Sequence, residues 1–100
     1  MLFYTQLIFV KEGKEAVFHA FEDYVLPLLG RYNGKLLYRL RPGNGDVVTT
    51  SIDYPYEVHL ISFGSKADFE AYARDEERTK YLAMKNESVE KVVLIEGVQL

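Results

Sequence analysis

The chain has no cysteine, which excludes disulfides, thiolate catalysis and cysteine-ligated metals. It has no tryptophan, three prolines and two histidines, His19 and His59. No apolar run approaches the roughly 20 residues that a membrane helix needs. The start, Met1-Leu2-Phe3-Tyr4, lacks the basic head and cleavage site of a signal peptide. A cytoplasmic location and no membrane partner are the expectations. Positive charge is also in short supply: Lys and Arg number 12 against 15 Asp and Glu, for a net charge of −3. A nucleic-acid partner needs the opposite balance. Gly43-Asn44-Gly45-Asp46 precedes no helix and is no phosphate loop. Neither a nucleophile elbow nor a zinc pattern is present. Neither a metal nor a cofactor is expected.

What is there describes one globular domain, 1–100, large enough to bury roughly two-thirds of its unfolded surface. Hydrophobic residues make up 48% and charged residues 27%. Leu2–Val10 is nearly continuous in apolar and β-prone residues, as in a strand covered on both faces. From Glu15 the period changes: Val17, Phe21, Tyr24 and Leu28 fall on one helical stripe, flanked by Phe18, Val25 and Leu29. Pro27 should loosen that helix around Tyr24–Leu26, with Gly30 as its stop. Asn33-Gly34 is a turn, and Lys35–Arg41 reads as a second strand.

Tyr56–Phe63 is a third strand, closed by Gly64. Ser65-Lys66-Ala67-Asp68 has the form of a helix N-terminus, with Phe69, Tyr72 and Ala73 as the apolar stripe behind it. Asp75 reads as a second N-cap, Glu76–Asn86 as a further helix with Tyr81 and Leu82 inward, and Lys91–Leu100 as the last strand. The segment Asp46–Pro55 is long for a hairpin link but β-prone, which suggests an extended arm or an irregular extra strand lying on a surface, its own or a partner's. The order β-α-β-β-α-β, with right-handed crossovers, predicts an α+β ferredoxin-like fold: a four-stranded antiparallel sheet, strands one and three central, helices on one face.

Two blocks carry a resemblance. Tyr24-Val25-Leu26-Pro27-Leu28-Leu29 with Tyr32-Asn33-Gly34-Lys35-Leu36-Leu37-Tyr38-Arg39 is the first. Pro55-Tyr56-Glu57-Val58-His59-Leu60 with Phe63, Ser65, Phe69, Tyr72, Asp75 and Arg78 is the second. Together they resemble the dimeric α/β-barrel superfamily, nearest to its short DUF1330-like proteins of unknown function, over nearly the whole chain except the arm Asp46–Asp53. The resemblance implies a homodimer. For an enzyme it implies cofactor-independent acid–base or monooxygenase-like chemistry on a small organic substrate. No catalytic motif of the superfamily transfers position by position.

Strand alternation puts Val58 and Leu60 on one face and Glu57, His59, Ile61 and Phe63 on the other. Pairing Arg41 with Glu57 sets Arg39 opposite His59, Leu37 opposite Ile61, Leu40 beside Val58 and Tyr38 beside Leu60. Leu40, Val58, Tyr38 and Leu60 then read as the helix-packed face. Leu37, Ile61 and Phe63 become an open apolar patch that a second copy covers, with the arm Asp46–Asp53 helping to seal it. A pocket between sheet and dimer partner would bind or convert a small organic molecule. Arg39 and Arg41 would hold an anionic or carbonyl oxygen beside Glu57, His59 would carry a proton, and Tyr54 and Tyr56 would form the rim. Burial and Arg39 should lower the pKa of His59, with Glu57 opposing. The competing reading is a non-catalytic interaction or sensing module whose Arg/Glu/His cluster is structural. His19 falls with Glu15, Glu22 and Asp23 on a helix face that reads as solvated.

Overall fold

The computed structural model describes residues 1–100. Its elements are β1 (Leu2–Val10), α1 (Glu15–Val25), a 3₁₀ segment (Leu26–Tyr32), β2 (Lys35–Leu40), β3 (Glu57–Phe63), α2 (Lys66–Ala73), α3 (Glu76–Thr79), α4 (Leu82–Ser88) and β4 (Val89–Val98). The sheet is antiparallel throughout in the order β2-β3-β1-β4. β1 and β3 are central, as their apolar content predicts. This is the ferredoxin-like α+β fold. No helix is long and apolar enough to cross a membrane.

Local chemistry accounts for most element boundaries. The helix starting at Glu15 gives way to 3₁₀ geometry at Leu26, where Pro27 withholds a backbone donor. Gly30 does not stop it. The turn runs on to Tyr32 and ends at Asn33 in the left-handed conformation (φ 56°), which asparagine tolerates better than most residues. Ser65 caps α2 by accepting from the Asp68 amide (3.2 Å), and Asp75 caps α3 by accepting from the Arg78 amide (2.9 Å). Gly34 is a point of close approach: a Cβ there would lie 2.7 Å from Phe63 Cε1 and 2.9 Å from the Leu29 carbonyl oxygen.

The pairing of β2 with β3 agrees with the expected register at Arg39–His59, Leu40–Val58 and Tyr38–Leu60, but a bulge at Leu37 puts Leu36, not Leu37, opposite Ile61. The expected faces are reversed. Ile61 and Phe63 pack under the helix layer with Tyr4, Leu28, Leu29 and Tyr72, joined by Leu36 and Phe69. They cannot form an open patch. The reason lies across β1: Phe63 pairs with Leu2 and Ile61 with Tyr4, so one strip of large side chains meets the 3₁₀ segment and α2. Strict alternation then carries His59 and Glu57 inward on the same side. The open face instead bears Tyr38, Leu40, Val58 and Leu60, with Phe3 and Leu7 of β1 and Val93 and Ile95 of β4 in register beside them. On α1, the buried stripe is Phe18, Phe21, Glu22 and Val25, while Tyr24 is exposed and stacks on Tyr81 at 4.3 Å between ring centroids.

Candidate functional site

The helix-facing side of the sheet is dry at one end and polar at the other. At the polar end, Glu57 is 0% and His59 1% exposed. Arg39 Nε donates to Glu57 Oε2 at 2.9 Å and Arg41 Nε to Oε1 at 2.8 Å. His59 Nε2 also meets Glu57 Oε2. Burial alone would raise the Glu57 carboxyl, but hydrogen bonds from Arg39, His59 and Arg41 outweigh it and hold its pKa below the ordinary carboxylate value. Glu57 is therefore an anion and can only accept, so His59 donates through Nε2 and leaves Nδ1 as an acceptor. Burial lowers the pKa of His59, Glu57 pulls it up, and Arg39 and Arg41 push it down, with a net fall. That direction matches the expectation from sequence.

Above this cluster α1 brings down Glu22, which is 6% exposed and not on a solvated face. Phe18, Glu22 and Val25 are spaced four and three residues apart, so Glu22 shares their buried stripe. Burial first and the charge of Glu57 second raise its pKa to about 7, against Arg39, Arg78 and Lys85. Glu22, Glu57 and His59 each offer an atom within 4.8 Å of the others. A metal would have to compete with two guanidiniums and an imidazole N–H for Glu57, so the cluster reads as an ion-pair network rather than a cation nest.

Glu22 also lines a cavity of about 280 Å³ between the helix layer and the sheet. Phe18, Phe21, Phe69 and Tyr72 form much of its wall, Ile8 and Leu94 lie on the sheet side, and Gln6, Arg78 and Lys85 are its other polar groups. This cavity lies on the helix-covered side of the sheet, the side to which Glu57 and His59 turn, rather than on the open face where the sequence reading set them. His59 does not line it, but its imidazole lies within 4.8 Å of Glu22, which does. Arg39 and Arg41, with side chains 28% and 47% exposed, border a separate shallow groove with Leu40 and Glu57.

The two rim tyrosines go elsewhere. Tyr54 borders a groove of the arm with Pro42, Asn44 and Val47. Tyr56 accepts or donates at His19 Nε2, 2.5 Å away, while the Arg41 guanidinium lies 5.6 Å over its ring. The structure therefore gathers Arg39, Arg41, Glu57 and His59, attaches Tyr56 at the margin and leaves Tyr54 out. The sequence reading misses Glu22, Gln6, Arg78 and Lys85. For Glu22 the signal was available in its spacing from Phe18 and Val25; for the others it was not, because each reaches the cavity from a different element.

No family model matches the chain, and no curated protein matches it. Solved structures do. A protein of unknown function from Rhodopseudomonas palustris superposes with a TM-score of 0.83 at 16% identity, over 99% of this chain and 82% of that one. A dimeric ferredoxin-like protein of unknown function from Jannaschia sp. CCS1 gives 0.71 at 19% identity, over 98% of both chains. A dabb family protein with a ferredoxin-like fold from Mesorhizobium loti gives 0.68 at 18% identity, over 99% and 96%. These likenesses establish the class: a ferredoxin-like domain of the architecture that these proteins share.

Proposed function

We propose that this protein is a homodimer that binds a small organic molecule in the cavity between helices and sheet, where Glu22 and His59 form a proton-transfer pair. The observation that carries this reading is Glu22 itself: a buried carboxyl with a pKa of about 7, lining an otherwise mainly apolar cavity. Such a group holds and releases protons at neutral pH, as general acid–base work requires. His59, fixed by Glu57 through Nε2, has a ring nitrogen within 4.8 Å of a Glu22 oxygen and is the second station, in reach through one bridging water. Arg39 and Arg41 keep Glu57 ionised and thereby keep His59 in one tautomer. In this reading they position the imidazole rather than grip a ligand oxygen.

The dimer rests on the open face. Tyr38, Leu40 and Ile95 are exposed there, with Phe3, Leu7, Val58, Leu60 and Val93 half-buried beside them. Each large side chain gains roughly 1.5–3 kcal/mol on burial, and a contiguous patch of this kind marks an interface. The Jannaschia neighbour is described as dimeric. Val48 and Ile52 on the arm are also exposed and would extend the seal. We place the chain among the short DUF1330-like proteins of the dimeric α/β-barrel superfamily and in the cytoplasm.

NMR titration of the methyl groups of Val89, Val92 and Leu94 with phenol and benzamide tests the pocket. Selective shifts at these residues support it; no shifts, or shifts only at Leu60 and Ile95, refute it. A second reading, a sensing or interaction module, is favoured by the complete engagement of Glu57, which suits a structural cluster. Ligand binding without turnover in the presence of an intact Glu22–His59 pair would select it.

A further inference from the structure

The cavity has an imbalance of charge. Arg78 and Lys85 both line it, and neither forms an ion pair with a carboxylate of the chain. Arg78 Nε is buried without a hydrogen-bond partner. Its guanidinium is nonetheless held in place, 5.1 Å over the Tyr72 ring, with Nη1 3.4 Å from the Ala73 carbonyl oxygen. An oriented donor left without an acceptor beside an apolar space is costly, and an arginine fork fits a carboxylate in particular. The lining carboxyl, Glu22, is poorly suited to neutralise it, because its own charge is disfavoured by burial and by Glu57. Lys85 shows the same excess from the other side: burial and then the charge of Arg78 lower its pKa, and Glu22 offsets them only in part. Nine of the 13 lining residues are hydrophobic, which disfavours a fully hydrated inorganic anion.

Resting on the binding function proposed above, we infer that the ligand of this cavity is a small hydrophobic carboxylate, its head held by Arg78 and Lys85 and its hydrocarbon body against Phe18, Phe21, Phe69 and Tyr72. The carboxylate supplies the acceptor that Arg78 Nε lacks and the counter-charge that Lys85 lacks. Glu22 faces the same cavity and remains free to exchange a proton with the body of the ligand. The placement separates two tasks: the cations orient the molecule, and the buried carboxyl meets what they present.

The test titrates the intact protein at pH 7 with benzoate, phenylacetate and hexanoate, each beside its primary amide, by calorimetry and by the methyl shifts of Val92 and Leu94. The acids should bind at least tenfold more tightly than their amides. Arg78→Gln and Lys85→Gln should each bring that ratio toward one, weakening the acids at least fivefold more than the amides. Amides binding as tightly as acids would overturn the carboxylate assignment and leave the small-molecule pocket standing. An acid preference that survives both substitutions would also overturn it, by placing the anion elsewhere, such as the groove beside Arg39 and Arg41. No binding by any acid or amide would overturn both this inference and the function on which it rests. Should Arg78→Gln fail to fold, Lys85→Gln, on a separate helix, decides the matter.

Discussion

Replacing Glu22 with Gln should change how stability depends on pH, in a direction and window that the structure fixes. Burial and the neighbouring Glu57 raise the Glu22 pKa from 4.5 to about 7. At about 1.4 kcal/mol for each pH decade, keeping this carboxyl folded above pH 7 costs roughly 3 kcal/mol that an unfolded chain escapes. The folded carboxyl binds its proton more tightly than the unfolded one. Its contribution is therefore fully present below about pH 4.5 and is lost as pH rises through about 7. His59 runs the other way. Its folded pKa lies below 6.5, so the unfolded state takes up the proton first, and stability is lost as pH falls below about 6.5. The two profiles overlap and are coupled through their proximity, which flattens the wild-type curve. Comparison with Glu22→Gln isolates the carboxyl, since the amide is nearly the same size and does not titrate. Urea denaturation from pH 4.5 to 8.5, at fixed protein concentration because a dimer's stability depends on it, is the assay. Glu22→Gln should gain on the wild type as pH rises, by up to about 3 kcal/mol at pH 8 relative to pH 4.5. A stability gap that stays constant across this range would refute the assignment of a raised pKa to Glu22.

Removing both guanidiniums with Arg39→Ala and Arg41→Ala leaves Glu57 buried and unmatched and should cost about 3 kcal/mol or more; adding Glu57→Gln should recover much of it, and a double-variant loss below ~1 kcal/mol would count against the network. Gly34→Ala should lose about 2 kcal/mol by forcing a Cβ against Phe63 and the Leu29 carbonyl, measured as a lower urea midpoint with unchanged slope. Leu60→Glu, on the open face, should give a folded monomer by sedimentation at micromolar concentration; an unchanged sedimentation coefficient, or a wild type that is already monomeric, refutes the sheet-to-sheet dimer. His59→Gln should lower turnover with little change in ligand affinity or thermal midpoint, whereas unfolding of the variant would assign the imidazole a structural role.

The fold was legible because its signals are local and redundant. Leu2–Val10 is too apolar for an edge strand, Ser65 and Asp75 announce helix starts, and Pro27 marks where α1 loosens. The pairing of Arg39 with His59 was also legible, since it follows from counting outward from one cross-strand pair. Which face of the sheet meets the helices was not. In Glu57-Val58-His59-Leu60-Ile61-Ser62-Phe63 the odd positions run from polar to apolar and the even ones from apolar (Val58, Leu60) to polar (Ser62), so alternation alone scores both faces alike. The large side chains of Ile61 and Phe63 decide it, because they pack against Leu28, Leu29 and Tyr72 and take His59 and Glu57 inward with them. The consistent apolar set of Tyr38, Leu40, Val58 and Leu60 pointed the other way, and Glu22 read as part of a solvated helix face. Arg78 and Lys85 escaped notice for a different reason: their environment is made by elements distant in the chain.

The two misplacements coincide in space. Glu57 and His59, expected on the open face of the sheet, and Glu22, expected in solvent, are the three buried groups that form the tight cluster. A chain under selection for stability alone would fill that end of the layer with apolar side chains, since well-packed hydrophobes commonly equal or exceed a buried ion pair in stability. Here the dry end, built from Tyr4, Ile61, Phe63, Leu28, Leu29 and Tyr72, concentrates the stabilising contacts. The polar end carries a carboxyl with a pKa of about 7, a neutral imidazole and an unmatched guanidinium nitrogen. Local rules are broken at the proposed site, and the cost is offset elsewhere in the same core. That division of one helix–sheet interface into a stabilising half and a polar half is the physical ground for our proposal of a site beneath the helices.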